Sequence, residues 1–174
     1  SLDAGLSGAL RQGAQVLLVS EPRDPVQARL VLEAAETGHL LLTTLRGFDT
    51  ASAVTRFLSL FPSEERGEVR SRLARVLKWS FTQQLVAHGD GRHPVVEVWR
   101  ATRATAAHLA DGPLSSAALA DLLRDGEREG LVGFDRELER RVRAGEIEID
   151  TAMATSVLPR QLELRLLDLR EAQG

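Results

Sequence analysis

A single carboxylate, Glu21, follows an aliphatic segment near the start of the chain, Val16-Leu17-Leu18-Val19. A continuous apolar run of this kind is typical of a strand that is buried on both faces of a sheet. The carboxyl end of such a strand is the edge at which open α/β sheets bind ligands. A carboxylate at that edge can orient and polarise water for attack on a phosphoryl group. Taken alone, a glutamate after an apolar strand is more often a loop acid than a catalytic residue, but its position makes Glu21 the first candidate for catalysis.

The residues after this carboxylate predict a helix and then a second strand. Asp24 is a favourable N-cap, Pro25 suits the first helical position, and Gln27 completes a capping box. The helix is expected to end at Gly38, after which three leucines form the second apolar run. His39 stands at the start of that run. The pattern is a strand–helix–strand unit of an α/β fold.

The motifs of this unit resemble those of the secretion ATPase superfamily, the hexameric motors of type IV pili and type II secretion, and above all the twitching-motility (PilT-type) retraction ATPases. They read VLLVSEPRD from Val16, AAETGH ending at His39, and TTL before Arg46. The resemblance implies that Glu21 is the Walker B glutamate and that His39 belongs to the histidine box and contacts nucleotide. It further implies ATP and Mg²⁺ as cofactors, a homo-oligomer (a hexamer in the family), and partners at the pilus or secretion machinery base.

Three arginines complete the predicted nucleotide-binding set. Arg46 replaces the second histidine of the histidine box, Arg23 lies just after Glu21, and Arg11 occupies the position of a family arginine close to the Walker B strand. Arginine only donates hydrogen bonds and stays charged, whereas histidine can also accept. Arg46 can therefore hold a phosphate but cannot act as an acceptor. A further family arginine, in the C-terminal half, falls near Ala106.

A Walker A loop is absent from the sequence. Such a loop needs Gly-Lys-Ser/Thr, because the lysine reaches the β- and γ-phosphates and the hydroxyl holds magnesium. The only lysine, Lys78, lies between Leu77 and Trp79. Either the loop lies upstream of Ser1 or this is a paralogue that has lost it. The first alternative predicts the C-terminal portion of a motor ATPase, and the second a degenerate, non-catalytic module with an assembly or regulatory role.

Composition excludes several other classes. The 174 residues are 43% hydrophobic, carry a net charge of −3 and contain no cysteine, so a packed core is expected without disulfides or thiolate metal sites. Arginines are interleaved with acids, which argues against a nucleic-acid-binding surface. The four histidines lack metal-ligand spacing, so no metal site of protein ligands is expected. Because no apolar run approaches a membrane span, we expect a cytoplasmic protein. The resemblance implies a peripheral position at the inner membrane through partner proteins.

The whole pattern predicts an α/β fold in two parts. Residues 1–100 are expected to contain parallel strands plus a β-hairpin, which runs from Trp79 to Trp99, and the resemblance implies that they form a partial RecA-like P-loop NTPase core. Residues 101–174 are expected to form a small C-terminal helical bundle, with a soft boundary near Ala101 and a last helix from Pro159 to Glu171. Glu97, a lone acid in the second hairpin strand, is expected at a solvent-facing or edge position.

Overall fold

The computed structural model describes residues 2–171. Four strands and ten α-helices make up this described part, with one 3-10 turn at Glu127–Glu129. In chain order they are α1 (Leu2–Arg11), β1 (Val16–Val19), α2 (Pro25–Glu36), β2 (Leu40–Thr43), α3 (Thr50–Ser59), α4 (Arg66–Val76), β3 (Trp79–His88), β4 (Gly91–Arg100), α5 (Arg103–Asp111), α6 (Ser116–Asp125), α7 (Phe134–Arg143), α8 (Ile149–Thr155), α9 (Pro159–Arg165) and α10 (Leu167–Glu171). The predicted α/β class is confirmed.

The strand–helix–strand unit forms as the local sequence predicts. β1 pairs in parallel with β2, and α2 connects them. Asp24 caps α2, since its Oδ1 accepts the backbone N–H of Gln27 at 2.9 Å. The second bond of the predicted capping box is displaced by one residue: the Gln27 side chain accepts the N–H of Arg23 and not that of Asp24. Gly38, at a φ of 94°, turns the chain from the helix into β2, a conformation that costs glycine little.

The prediction that β1 is buried on both faces is wrong for this structure. Leu17 and Val19 pack into a small core with residues of α1 and α2. The alternate side chains Val16 and Leu18 are 59% and 80% exposed. Successive strand residues face opposite sides of a sheet, and among the described residues helices cover only one side of this one. An aliphatic face therefore remains open to solvent, and Leu40 and Leu42 of β2 are exposed as well.

The hairpin forms as predicted, but one of its residues lies in an unexpected environment. β3 and β4 pair in antiparallel register, with Thr82 opposite Glu97. The prediction that Glu97 faces solvent or an edge is wrong, because its residue exposure is 4%. Glu97 lies between Val95 and Trp99 on the inward side of β4, and both of these neighbours are buried. The two-residue period of the strand therefore brings the carboxylate into the interior.

The main core crosses the boundary that the sequence predicts near Ala101. Leu109 of α5 and Leu123 of α6 are buried in the same cluster as Val54 and Phe57 of α3. A second core joins the hairpin to α7, α8 and α9. The predicted last helix is two helices, α9 and α10, which meet at Leu166. No helix among residues 2–171 is long and apolar enough to cross a membrane.

Candidate functional site

The candidate site lies at the carboxyl ends of the two parallel strands. Val19 is paired with Thr43, so the segments that leave both strands emerge at one edge of the sheet. The Thr43 hydroxyl donates to the carbonyl of Ser20 at 3.4 Å, which links the two segments directly. Glu21 follows on one side and Arg46 on the other. The parallel arrangement thus brings together two residues that are far apart in the sequence.

Glu21 is held between two guanidinium groups. Nε of Arg56, on α3, donates to Glu21 Oε1 at 3.1 Å. Nε of Arg46 lies 3.4 Å from Oε2. The hydrogen bond from Arg56, together with the backbone N–H and the charge of Arg46, lowers the pKa of Glu21, although partial desolvation opposes them. The carboxylate is therefore ionised at neutral pH.

The two arginines are not equally free to leave this carboxylate. The Arg46 side chain is 84% exposed, whereas that of Glu21 is 22% exposed. Arg46 therefore packs against little else. Arg56 is 52% exposed and extends from a helix whose buried face is fixed in the main core. The arrangement presents an ionised acceptor beside one largely exposed positive charge.

His39 lies at the opposite end of the sheet from Glu21. The N–H of Leu40 binds the carbonyl of Gln15, so His39 stands at the amino end of β1. Along the strand axis, His39 is therefore about 20 Å from Glu21, at a rise of ~3.3 Å per residue. His39 Nδ1 instead lies 3.0 Å from Thr37 Oγ1 and 3.1 Å from the carbonyl of Ala34, at the C-terminus of α2. The structure does not bring His39 and Glu21 together.

The remaining predicted arginines also differ in position. Arg23 is exposed next to the site, where its backbone N–H binds Gln27. Arg11 ends α1, before β1 begins, and is therefore on the amino-end side of the sheet with His39. Sequence reasoning missed Arg56 as a site residue. The available signals were the family match, which continues through Arg56, and its place two turns into a helix that follows the second strand.

The described residues offer no phosphate-cradling loop. Lys78 follows α4, and its Nζ donates to the carbonyl of Arg75 at 3.0 Å, so it serves as a helix C-terminal cation. No group of three or more His, Cys, Asp or Glu residues between positions 2 and 171 could hold a metal ion. The site therefore fits the water-orienting side of a phosphate site, but not the phosphate cradle.

Comparison with known proteins adds independent information. Residues 1–118 match the family described as "Type II/IV secretion system protein". The chain is 35% identical over 145 residues to "Uncharacterized protein YggR" of Escherichia coli (strain K12), covering 83% of this chain and 44% of the relative. It is 35% identical over 149 residues to "Twitching motility protein" of Neisseria gonorrhoeae, covering 84% of this chain and 39% of the relative.

A solved structure has the same fold. The crystal structure of the pilus retraction motor PilT with bound ADP aligns with a TM-score of 0.82 and 27% identity, covering 94% of this chain and 46% of that chain. The chain therefore spans less than half the length of each of these proteins. The resemblance that the sequence motifs indicated is confirmed.

Proposed function

Since the chain belongs to the Type II/IV secretion system protein family, we propose that it is the Glu21-bearing portion of a PilT-like hexameric motor ATPase, acting in type IV pilus retraction and twitching motility or in type II secretion. The observation that carries the proposal is the ionised Glu21 at the carboxyl end of β1, with two arginines against it. A twitching-motility relative and the fold shared with PilT support it.

Glu21 is proposed to orient the attacking water. Its low pKa keeps it ionised, so it acts by accepting a hydrogen bond from water rather than by storing a proton. Each carboxylate oxygen has more than one lone pair, which leaves room for water beside the arginine contacts. ATP with Mg²⁺, when bound, supplies the phosphoryl group and the neutralising charge.

Arg46 is proposed to move between Glu21 and phosphate. Its side chain is the more exposed of the two that hold the carboxylate, and a guanidinium binds phosphate well. Arg23, beside the same edge, is a second candidate for phosphate contact. His39 and Arg11 remain predictions of nucleotide contact. Because they lie at the other end of β1, such contact requires a nucleotide at a different surface, as between neighbouring subunits of a hexamer.

The phosphate loop is proposed to come from residues outside this chain. The open faces of β1 and β2, with Val16, Leu18, Leu40 and Leu42 exposed, support packing against a further layer of protein. Contiguous apolar surface of this kind marks a contact site. The proposed setting is cytoplasmic, at the inner membrane through the pilus or secretion machinery base, with no role in nucleic-acid binding.

Nucleotide binding tests whether the phosphate loop lies outside this chain and whether Arg46 contacts phosphate. Calorimetry with Mg-ATP and Mg-ADP up to millimolar concentration is expected to detect no binding by residues 1–174, because the cradle is missing. If binding does occur, Arg46→Ala should remove it, while Arg92→Ala, an exposed residue at the start of β4, should leave it unchanged. Binding that survives Arg46→Ala would contradict the proposed phosphate contact.

Turnover tests the role of Glu21. In the full encoded protein, Glu21→Gln is expected to reduce ATP hydrolysis by about 10²–10³-fold while leaving ATP affinity nearly unchanged, because only transition-state interactions are lost. Arg92→Ala serves as the matched control. Turnover close to wild type in Glu21→Gln would refute the assignment.

A non-catalytic module is the alternative. It is favoured by the guanidinium of Arg46, which neutralises Glu21 where the family has a histidine, and by the absence of a Walker A lysine. Such a module would use the fold for assembly or regulation. A complete encoded sequence without a Gly-Lys-Ser/Thr loop, together with no ATP binding by the full protein, would support this alternative over the motor.

A further inference from the structure

Glu97 connects the candidate site to the C-terminal part of the chain. It is a buried carboxylate on β4, and its Oε1 accepts the backbone N–H of Thr50 at 2.7 Å. Phe134 lines the same small cavity as this carboxylate. Thr50 is the first residue of α3 and Phe134 the first residue of α7. One side chain therefore binds the N-terminus of α3 and lies beside the N-terminus of α7, although the two helices are distant in the sequence.

Thr50, at the start of α3, lies in the segment whose arginines contact Glu21. We call residues 46–56 the arginine segment, since Arg46 and Arg56 lie at its two ends. The hairpin binds this segment at two further points, where the Thr50 hydroxyl donates to Ser80 Oγ at 3.0 Å and the Gln84 amide donates to the carbonyl of Phe48 at 3.3 Å. Of these three attachments, only the one to Glu97 involves an ionisable group.

The helix start at Phe134 belongs to the C-terminal core. Asp135, the next residue, accepts from the N–H groups of Val157 and Leu158 at 2.9 and 2.8 Å and from the Ser156 hydroxyl at 2.7 Å. The first turn of α7 thus organises the connection between α8 and α9. A displacement of α7 would change the surroundings of Glu97 and, through the Glu97–Thr50 bond, the position of the arginine segment.

We propose that Glu97 is a positioning residue that ties the arginine segment, and with it Glu21, to the C-terminal helices. Ionised Glu97 accepts a strong hydrogen bond from the N-terminus of α3 and lies beside the N-terminus of α7, and the helix dipole favours negative charge at both. A protonated Glu97 accepts the bond from α3 more weakly, so the arrangement of Arg46 and Arg56 around Glu21 depends on the charge of Glu97. The inference stands whether or not Glu21 hydrolyses ATP.

Several charged groups share the surroundings of Glu97. Burial raises the pKa of Glu97 to about 7, with a smaller contribution from the charge of Asp49, while the bonds from Thr50 oppose the rise. Thr82, opposite on β3, is uncharged. The charged residues that line the small cavity beside Glu97 come from α3's N-cap, α6, α7 and α9: Asp49, Arg124, Asp135, Arg136 and Arg165. The charges of these groups determine the electrostatic potential at the Glu97 carboxyl.

Nuclear magnetic resonance of the 174-residue chain, without nucleotide, tests the coupling. The backbone amide signals of Thr50 and Phe134 and the carboxyl ¹³C signals of Glu97 and Glu21 are followed from pH 5.5 to 8.5. Glu21 has a lowered pKa, so any change of its signal in this range reports on a neighbour. We expect all four signals to shift with the midpoint of Glu97. Glu97→Gln should abolish the shifts, and Glu64→Gln, an exposed control, should retain them.

Two outcomes would overturn the proposal. If Thr50 and Phe134 do not follow the Glu97 midpoint, Glu97 does not anchor the two helices. If they follow it but the Glu21 signal stays constant, the anchor exists and the coupling to the site does not. If Glu97→Gln does not fold, the unmodified chain still tests the coupling. The pH midpoint of the Glu97 carboxyl signal is then compared with the midpoints of the other three signals, and the histidine ring signals serve as a reference.

Discussion

The buried carboxylate of Glu97 should make stability depend on pH in a direction unusual for an acidic residue. Burial raises its pKa from an ordinary 4.5 to about 7 in the folded chain. Between these two values the native state binds a proton that the unfolded chain does not. The free energy of unfolding therefore falls as pH rises through this window. Since each pKa unit corresponds to about 1.4 kcal/mol, the total loss is ~3 kcal/mol.

Other acids contribute with the opposite sign and must be separated from this effect. The pKa of Glu36 is lowered by the hydrogen bond from Arg72, and that of Asp168 by the hydrogen bond from Arg143. Both lose stabilisation as pH falls. The informative quantity is the difference between Glu97→Gln and the unmodified chain, in which these contributions cancel.

Urea denaturation between pH 4.5 and 8 measures that difference, with fluorescence of the buried Trp99 as the signal. Glu97→Gln should gain ~3 kcal/mol relative to the unmodified chain across this range, because glutamine does not titrate. A glutamine N–H left without a partner adds a constant penalty, which does not alter the slope. Glu64→Gln, an exposed residue with a lowered pKa, should give no rise in this direction. Parallel pH profiles for Glu97→Gln and the unmodified chain would refute the reasoning.

Three further predictions concern the packing around the site and the C-terminal core. Asp135→Ala should destabilise the chain by about 2–4 kcal/mol in urea denaturation, because the N–H of Val157 loses its acceptor and that of Leu158 keeps only the Ser156 hydroxyl. A cost below about 1 kcal/mol would contradict the described bonds. Leu17→Thr, on the covered face of β1, should cost about 2–4 kcal/mol, whereas Leu18→Thr, on the open face, should cost less than about 0.5 kcal/mol, and equal costs would contradict the one-sided burial. Gly38→Ala should destabilise the chain by about 1–2 kcal/mol, because the φ of Gly38 is 94°. Gly67→Ala within α4 places its methyl group near no other atom and should stabilise the chain by about 0.5–1 kcal/mol. A melting temperature that moves the same way in both variants would contradict the assignment of strain to Gly38.

Local features of the fold were predictable because they depend on neighbours in the sequence. The caps of α2 and α3 follow from Asp24 and Asp49, each of which accepts a backbone N–H three residues later. The turn at Gly38 follows from the conformational freedom of glycine. The hairpin follows from two alternating segments separated by a glycine-containing turn. Glu21 was placed at the end of a strand by the same local reasoning.

The site itself was only partly predictable. A parallel strand–helix–strand unit brings the ends of both strands to one edge, which is why Glu21 and Arg46 meet. The same topology separates His39 and Arg11 from Glu21, a consequence that motif matching overlooks because it compares positions and not strand ends. Arg56 reaches Glu21 only because α3 packs back along this edge.

By itself the sequence determined the element types, their order, the family and the absence of a Walker A lysine, since these depend on residue identity and short-range periodicity. Tertiary structure alone decided which side chains meet. The Arg56–Glu21 contact spans 35 residues and the Thr50–Glu97 contact spans 47. It also decided that Glu97 is buried and that one face of β1 is open, because burial depends on which elements cover a face. Contacts of this range require several elements to pack together, and no local pattern in the chain encodes their geometry.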